Sequence, residues 1–168
     1  MSAQIKYGFS TPIGSAGGIV DLAPYAIDTF LNDEENGKLK FGIGVVQGAK
    51  PGIGIALPKT GSTAAKFEGV TTNNRTTEYN MDGDLSIRKG ASVGVMRYGR
   101  IYVRVVDGVT VAYGDPLYLI TDGENAGMFT KTASSATPKA IAIKGRFLGA
   151  ADLSTKVAAV ELFDQAQA

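Results

Sequence analysis

Histidine, cysteine and tryptophan are all missing from this chain of 168 residues. The first absence removes the commonest proton shuttle, the second the commonest thiol nucleophile, and together they remove the usual transition-metal ligands. No disulfide can staple the fold, and the strongest aromatic platform for sugars is lacking. Charge of either sign is not in excess: Lys and Arg number 17 against 16 Asp and Glu, a formal net charge of +1. That balance argues against a general nucleic-acid binder or an anionic-membrane binder, so neither partner is expected. No apolar run approaches the roughly 18 residues of a membrane span. The opening Met1-Ser2-Ala3-Gln4-Ile5-Lys6 lacks the basic-then-apolar pattern of a secretory signal, so synthesis in a cytoplasm is expected.

What the chain does have is glycine, 22 residues of it, between short runs of Val, Ile and Tyr. Its length suits one domain, which buries roughly 70% of the surface of the extended chain. Residues 1–40 stand apart from the rest. Tyr7-Gly8-Phe9-Ser10-Thr11-Pro12-Ile13-Gly14 scatters apolar side chains among Gly, Ser and Pro with no period of 2 or 3.6. This reads either as an arm that lies across another surface and sets Tyr7, Phe9 and Ile13 into separate pockets, or as a frayed terminus. Within it, residues 24–31 are predicted as a short helix: Pro24 suits a first turn, Ile27, Phe30 and Leu31 share a face, and Asn36-Gly37 supplies a stop. The acidic run Asp33-Glu34-Glu35 falls at the unfavourable end of that helix.

From residue 41 to the end the pattern is strand-like. Predicted strands cover 41–46, 52–57, 65–70, 85–87, 92–96, 100–106, 109–112, 116–120, 127–131, 140–147 and 156–163, with Gly, Asn, Asp or Pro in nearly every gap. The expected fold is therefore all-β, a jelly-roll or β-sandwich-like single domain at 41–168 with an extended N-terminal arm and at most one short helix. Ile87-x-x-Gly90-x-x-Val93-x-Val95-Met96-x-x-Gly99 is echoed by Val111-x-x-Gly114-x-x-Leu117-x-Leu119-Ile120-x-x-Gly123, as two strand units built on one plan would be.

Tested for chemistry, the motifs fail one by one. Gly42-Ile43-Gly44 and Gly52-Ile53-Gly54 lack the third glycine and the following helix that a phosphate loop needs, and Pro58 stands where a glycine should precede Lys59. Ser86-Ile87-Arg88-Lys89 spells an acyl-enzyme signature, but in extended sequence the hydroxyl and the amine point to opposite faces. Asn80-Met81-Asp82-Gly83-Asp84 begins like a calcium loop, yet Leu85 and Ala91 replace the bending Gly and the closing Glu. Asn74-Arg75-Thr76 is a glycosylation sequon without a secretory signal. No catalytic, cofactor-binding or metal-binding residue is assigned, and no enzyme or cofactor is expected.

One constellation does carry a binding signature. Arg100, Tyr102 and Arg104 share one strand face while Ile101, Val103 and Val105 take the other, so one side is core and the other is either a solvated outer face or a surface of residues favoured at interfaces.

The second half then resembles a known family. Gly108-Val109-Thr110-Val111-Ala112-Tyr113-Gly114-Asp115-Pro116-Leu117-Tyr118-Leu119, Gly127-Met128-Phe129-Thr130, Ile141-Ala142-Ile143-Lys144-Gly145-Arg146-Phe147-Leu148 and Val157-Ala158-Ala159-Val160-Glu161-Leu162-Phe163 resemble the structural cement, or decoration, proteins of tailed bacteriophage capsids. The likeness covers roughly residues 85 to 163. It implies a β-rich virion protein on the outside of the shell, bridging neighbouring major capsid protein subunits as a dimer or trimer with extended arms. Residues 3–20 and the Arg100, Tyr102 and Arg104 face would make the shell contacts. Competing readings are another virion part such as a tail-tube or head-completion protein, a carbohydrate-binding module using Tyr98, Tyr102 and Tyr113, and a carboxylate hydrolase using Asp82, Asp84 or Asp115.

Overall fold

Val, Ile and Tyr runs separated by glycine turns fold as strands in the computed structural model, which describes residues 14–73, 78–79, 85–136 and 138–164. In chain order they are β1 (Ala26–Asn32), β2 (Gly44–Gln47), β3 (Gly54–Ala56), β4 (Phe67–Thr71), β5 (Glu78–Tyr79), β6 (Leu85–Ser86), β7 (Ser92–Arg104), β8 (Pro116–Ile120), β9 (Phe129–Thr130), β10 (Ala140–Phe147) and β11 (Val157–Leu162). A single 3-10 turn at Ala64–Lys66 is the whole helical content among the described residues. The protein is all-β.

The main sheet runs β1-β3-β2-β4-β7-β11-β10-β8-β9, and β1 also pairs with β7. The first group therefore curls until it closes on itself. The second group curls back as well: Phe129 of β9 forms a parallel bridge with Val105, just past the end of β7. Curling in this way hides edges that would otherwise offer unpaired backbone groups. The long β7 belongs to both curls, and β5 and β6 form a separate small hairpin.

Each curl encloses a core. Phe30, Leu39, Ile43, Val45, Ile55, Ile87, Val93 and Val95 fill the first. Met96, Ile101, Val103 and Val105 belong to the second, with Leu117, Leu119, Phe129, Phe147, Val160 and Leu162. Side chains alternate along a strand, so Met96 and Ile101 can face the same core only if the alternation slips between them. It does so at a bulge: Ile27 pairs with Met96 but Ala26 with Tyr98. Arg97 and Tyr98 are consecutively exposed there, and Gly99 has φ of +124°. A Cβ at position 99 would lie 2.6 Å from that of Tyr25. Without the slip, Arg100, Tyr102 and Arg104 would point inward.

The helix predicted over 24–31 is corrected to strand β1. Its residues pair antiparallel with β7, from Ala26 opposite Tyr98 to Leu31 opposite Ser92, and parallel with β3 at Leu31 and Asn32. Pairing on both sides outweighs a helical period read over so few residues. Phe30 turns inward while Leu31 turns out, and the wholly buried Asn32 donates through Nδ2 to the carbonyls of Ile87 and Arg88. The strand predicted at 109–112 is a loop, in which Val111 is buried and the Ala112 amide bonds to Asp115. The strands predicted at 92–96 and 100–106 are one. The echo holds in part: Gly90 and Gly114 both take positive φ just before a strand, and Val93, Val95, Leu117 and Leu119 are all buried. It ends there, since Gly99 lies inside β7 and Gly123 in a turn.

Candidate interaction surface

The backbone of β7 beyond its bulge has β11 on one side, with Ile101 opposite Val160 and Val103 opposite Ala158. The amides and carbonyls of even-numbered residues point the other way, and the end of the N-terminal arm fills that edge. Gly17 N donates to Tyr102 O at 2.7 Å, Tyr102 N to Gly18 O at 2.9 Å and Val20 N to Arg100 O at 3.1 Å. Ile19 thereby bridges antiparallel to Ile101. Asn73 N donates to Gly17 O at 2.8 Å, so this arm root is gripped from the end of β4 too. The fit requires small residues: a Cβ on Gly14 would sit 2.7 Å from Cδ2 of Tyr102, and one on Gly17 2.7 Å from the amide of Asn73. The Gly-Ser character of the arm is explained at this end by close backbone approach.

The side chains on the outer face form a row of charges. Asp21 Oδ2 meets Arg100 Nη1 at 2.8 Å, and Arg100 Nε donates to Glu161 Oε1 at 3.1 Å. Glu161 Oε2 accepts from Arg146 Nη2 at 2.7 Å and Nε at 2.9 Å. Register creates the row: Glu161 lies opposite Arg100 on β7 and opposite Arg146 on β10. The Arg146 guanidinium also lies 5.5 Å from the Tyr113 ring centroid and 5.9 Å from that of Phe163.

Hydrogen bonds from Arg100 and then from the Ala23 amide hold the Asp21 carboxyl below its usual range. Glu161 is lowered chiefly by the hydrogen bond from Arg146, with burial opposing and Arg100 adding. Depressed carboxylates stabilise the fold above their unfolded values and lose that contribution as pH falls through the folded ones. The stabilisation is thus complete at neutral pH and lost on acidification below about 4. Thermal unfolding between pH 7 and pH 3 is expected to show it: Glu161→Gln should lower Tm most at neutral pH and close the gap to the wild type towards pH 3. A gap independent of pH would disprove the assignment.

Of the residues singled out in the sequence, Arg100 and Tyr102 come together under the arm root. Arg104 turns to the same edge and donates from Nε to Phe41 O at 3.0 Å. Tyr7, Phe9 and Ile13 lie outside the described residues, as do Asn74 and the run from Asn80 to Asp84. The partners of Arg100 were missed. Glu161 is an acid in an otherwise apolar strand, facing a strand with Arg100 and Arg104 on one face, and that pairing was the signal available. Tyr98 is partly exposed and Tyr113 is 68% exposed, but Tyr102 is under the arm root.

The glycine stretches pack rather than cradle. Gly44 abuts Leu119, Phe129 and Phe67, and Gly48 and Gly54 abut the Asp33 carboxylate. Lys89 lies in a turn, its amide donating to Asn36 Oδ1 at 2.8 Å, so no helix aligns it with Ser86. Asp115 holds its own turn, accepting from Ala112 N at 2.9 Å and pairing with Lys131 at 3.5 Å. Among the described residues no cluster of Asp and Glu is placed to hold a metal ion, and no helix is long and apolar enough to cross a membrane.

These features define an all-β structural scaffold with a terminal arm strapped to its central strand. Residues 3–163 match the family described as structural cement protein (E217 gp24/Pam3 gp6), and the chain belongs to that family. It is a structural component of the phage virion. Among solved structures, it is similar in fold to a chain of the capsid of Myoviridae phage XM1, with a TM-score of 0.70 at 20% identity, over 99% of this chain and 100% of that one. Among curated proteins, none matches.

Proposed function

We propose that the protein binds the outer surface of a phage shell and bridges neighbouring major capsid subunits, adding hold without catalysing a reaction. The observation that carries this reading is the arm root. The β domain anchors the arm through the backbone bonds of Gly17, Gly18 and Val20 to β7, so the preceding residues have a fixed point from which to reach a neighbour. Tyr7, Phe9 and Ile13 supply apolar anchors for pockets on the shell, and the exposed parts of Arg100, Tyr102 and Arg104 border the same contact. Assembly as a dimer or trimer multiplies weak contacts into high avidity.

The test is deletion of residues 1–13, which leaves every described bond of the arm root in place. The full chain is expected to pellet with expanded shells. The deletion should bind at least about tenfold more weakly, with unchanged Tm. Equal binding would take the arm out of the mechanism. Rings or tubes of the purified protein in the electron microscope would favour the tail reading instead.

A further inference from the structure

We propose that Asp21 and Arg100 clamp the arm root against β7, with Glu161 and Arg146 holding Arg100 in place. The inference concerns positioning; its link to shell binding rests on the function proposed above.

Burial does little to hold this segment. Between residues 14 and 25 Ala16 is the one buried apolar side chain, while Ile19 is 40% and Leu22 93% exposed. Backbone pairing with β7 ends at the Val20 amide. The next residue, Asp21, takes over with its side chain and has two tasks. Its Oδ2 meets Arg100, and its Oδ1 accepts from the Ala23 amide at 3.0 Å, which bends the chain towards β1. One carboxylate therefore fixes both the end of the arm root and the corner that follows.

Arg100 is fit for this because it is itself held. A long guanidinium side chain loses rotamer freedom when it pairs on the surface, and a lone exposed pair gains little net stability. Here the Arg100 fork is shared between Asp21 and Glu161, and the second Glu161 oxygen is taken by Arg146, whose plane rests near Tyr113 and Phe163. Each member is held by its neighbour in the row. A chain of ion pairs across β7, β11 and β10 thus ends on the arm root.

Asp21→Asn tests this, because an amide oxygen still accepts from Ala23 N while the charge is lost. In the isolated full-length protein, amide exchange at Gly17, Val20 and Tyr102 is expected to speed up about fivefold. Val103 and Val160 in the core should exchange as before. Asp21→Glu should restore much of the protection, and about 0.5 M salt should loosen the wild-type root in the same way. Unchanged exchange in Asp21→Asn overturns the clasp whatever the shells do. A loosened root with undiminished shell binding overturns its positioning role. Failure of the wild type to bind shells at all would instead refute the proposed function, with the exchange result still deciding the clasp.

Discussion

Gly69→Ala is expected to destabilise the protein by about 3–5 kcal/mol, the sum of a forbidden backbone conformation and a collision. Gly69 has φ of +145°, in a region that residues with a side chain avoid. Its added methyl would overlap the carbonyl oxygen of Met96, with the Met96 carbonyl carbon and Val95 Cγ1 both at 2.8 Å. Neither strand can step aside, because Val70 pairs with Met96 and Thr72 N donates to Gly94 O at 2.8 Å. The glycine closes a bulge: Val45 opposes Gly69 and Val46 opposes Phe67, leaving Glu68 as the extra residue. Gly52→Ala is the control, since φ there is +76° and nothing lies within 4 Å of the new methyl. It should lose only about 1 kcal/mol. Urea unfolding followed by circular dichroism separates the two, and equal midpoints would refute the collision.

Phe129→Ala is expected to have a similar effect, about 3–5 kcal/mol, for a different reason. Phe129 is wholly buried, and it sits where the two curls meet. Its carbonyl accepts from Val106 N at 3.0 Å, and its ring reaches to 3.0 Å from where a Cβ on Gly44 would be. Removing the ring leaves a cavity at that junction. Gly44→Ala alone should also destabilise, since its methyl meets Leu119, Phe129 and Phe67. In the double variant the methyl enters space that the ring vacated, so the two losses should fall short of additivity by about 1 kcal/mol or more. Strict additivity would show that the two residues do not share that space. Leu153→Ala, at a position 92% exposed, should stay within about 0.5 kcal/mol of the wild type.

How much of this was legible in the sequence depended on whether side chains or backbone carried the information. Strands β8 and β10 fall at the predicted residues, because each is a run of branched and aromatic residues bounded by turn formers. The opposite faces of β7 were legible from strict alternation of Ile101, Val103 and Val105 with Arg100, Tyr102 and Arg104. Strand β1 was not, since over eight residues a spacing of 3 and 4 and a spacing of 2 select overlapping positions. The union of 92–96 and 100–106 into one strand was hidden because Gly99 reads as a turn when it is in fact part of a bulge. The seating of the arm root was invisible for a deeper reason. Gly17, Gly18 and Val20 act through their amides and carbonyls, which every sequence possesses, and they leave no apolar period behind.

The thirteen-residue span of β7 also governs how the molecule is made. Its partners β1 and β4 are synthesised before it and β11 well after it, so neither half is complete on its own schedule. Contacts so distant along the polypeptide close large loops before they return any stabilisation, so folding is expected to be slow. A nascent chain that has emerged only as far as residue 104 carries a half-dressed strand, and the apolar segment that covers it, β11, has yet to be made.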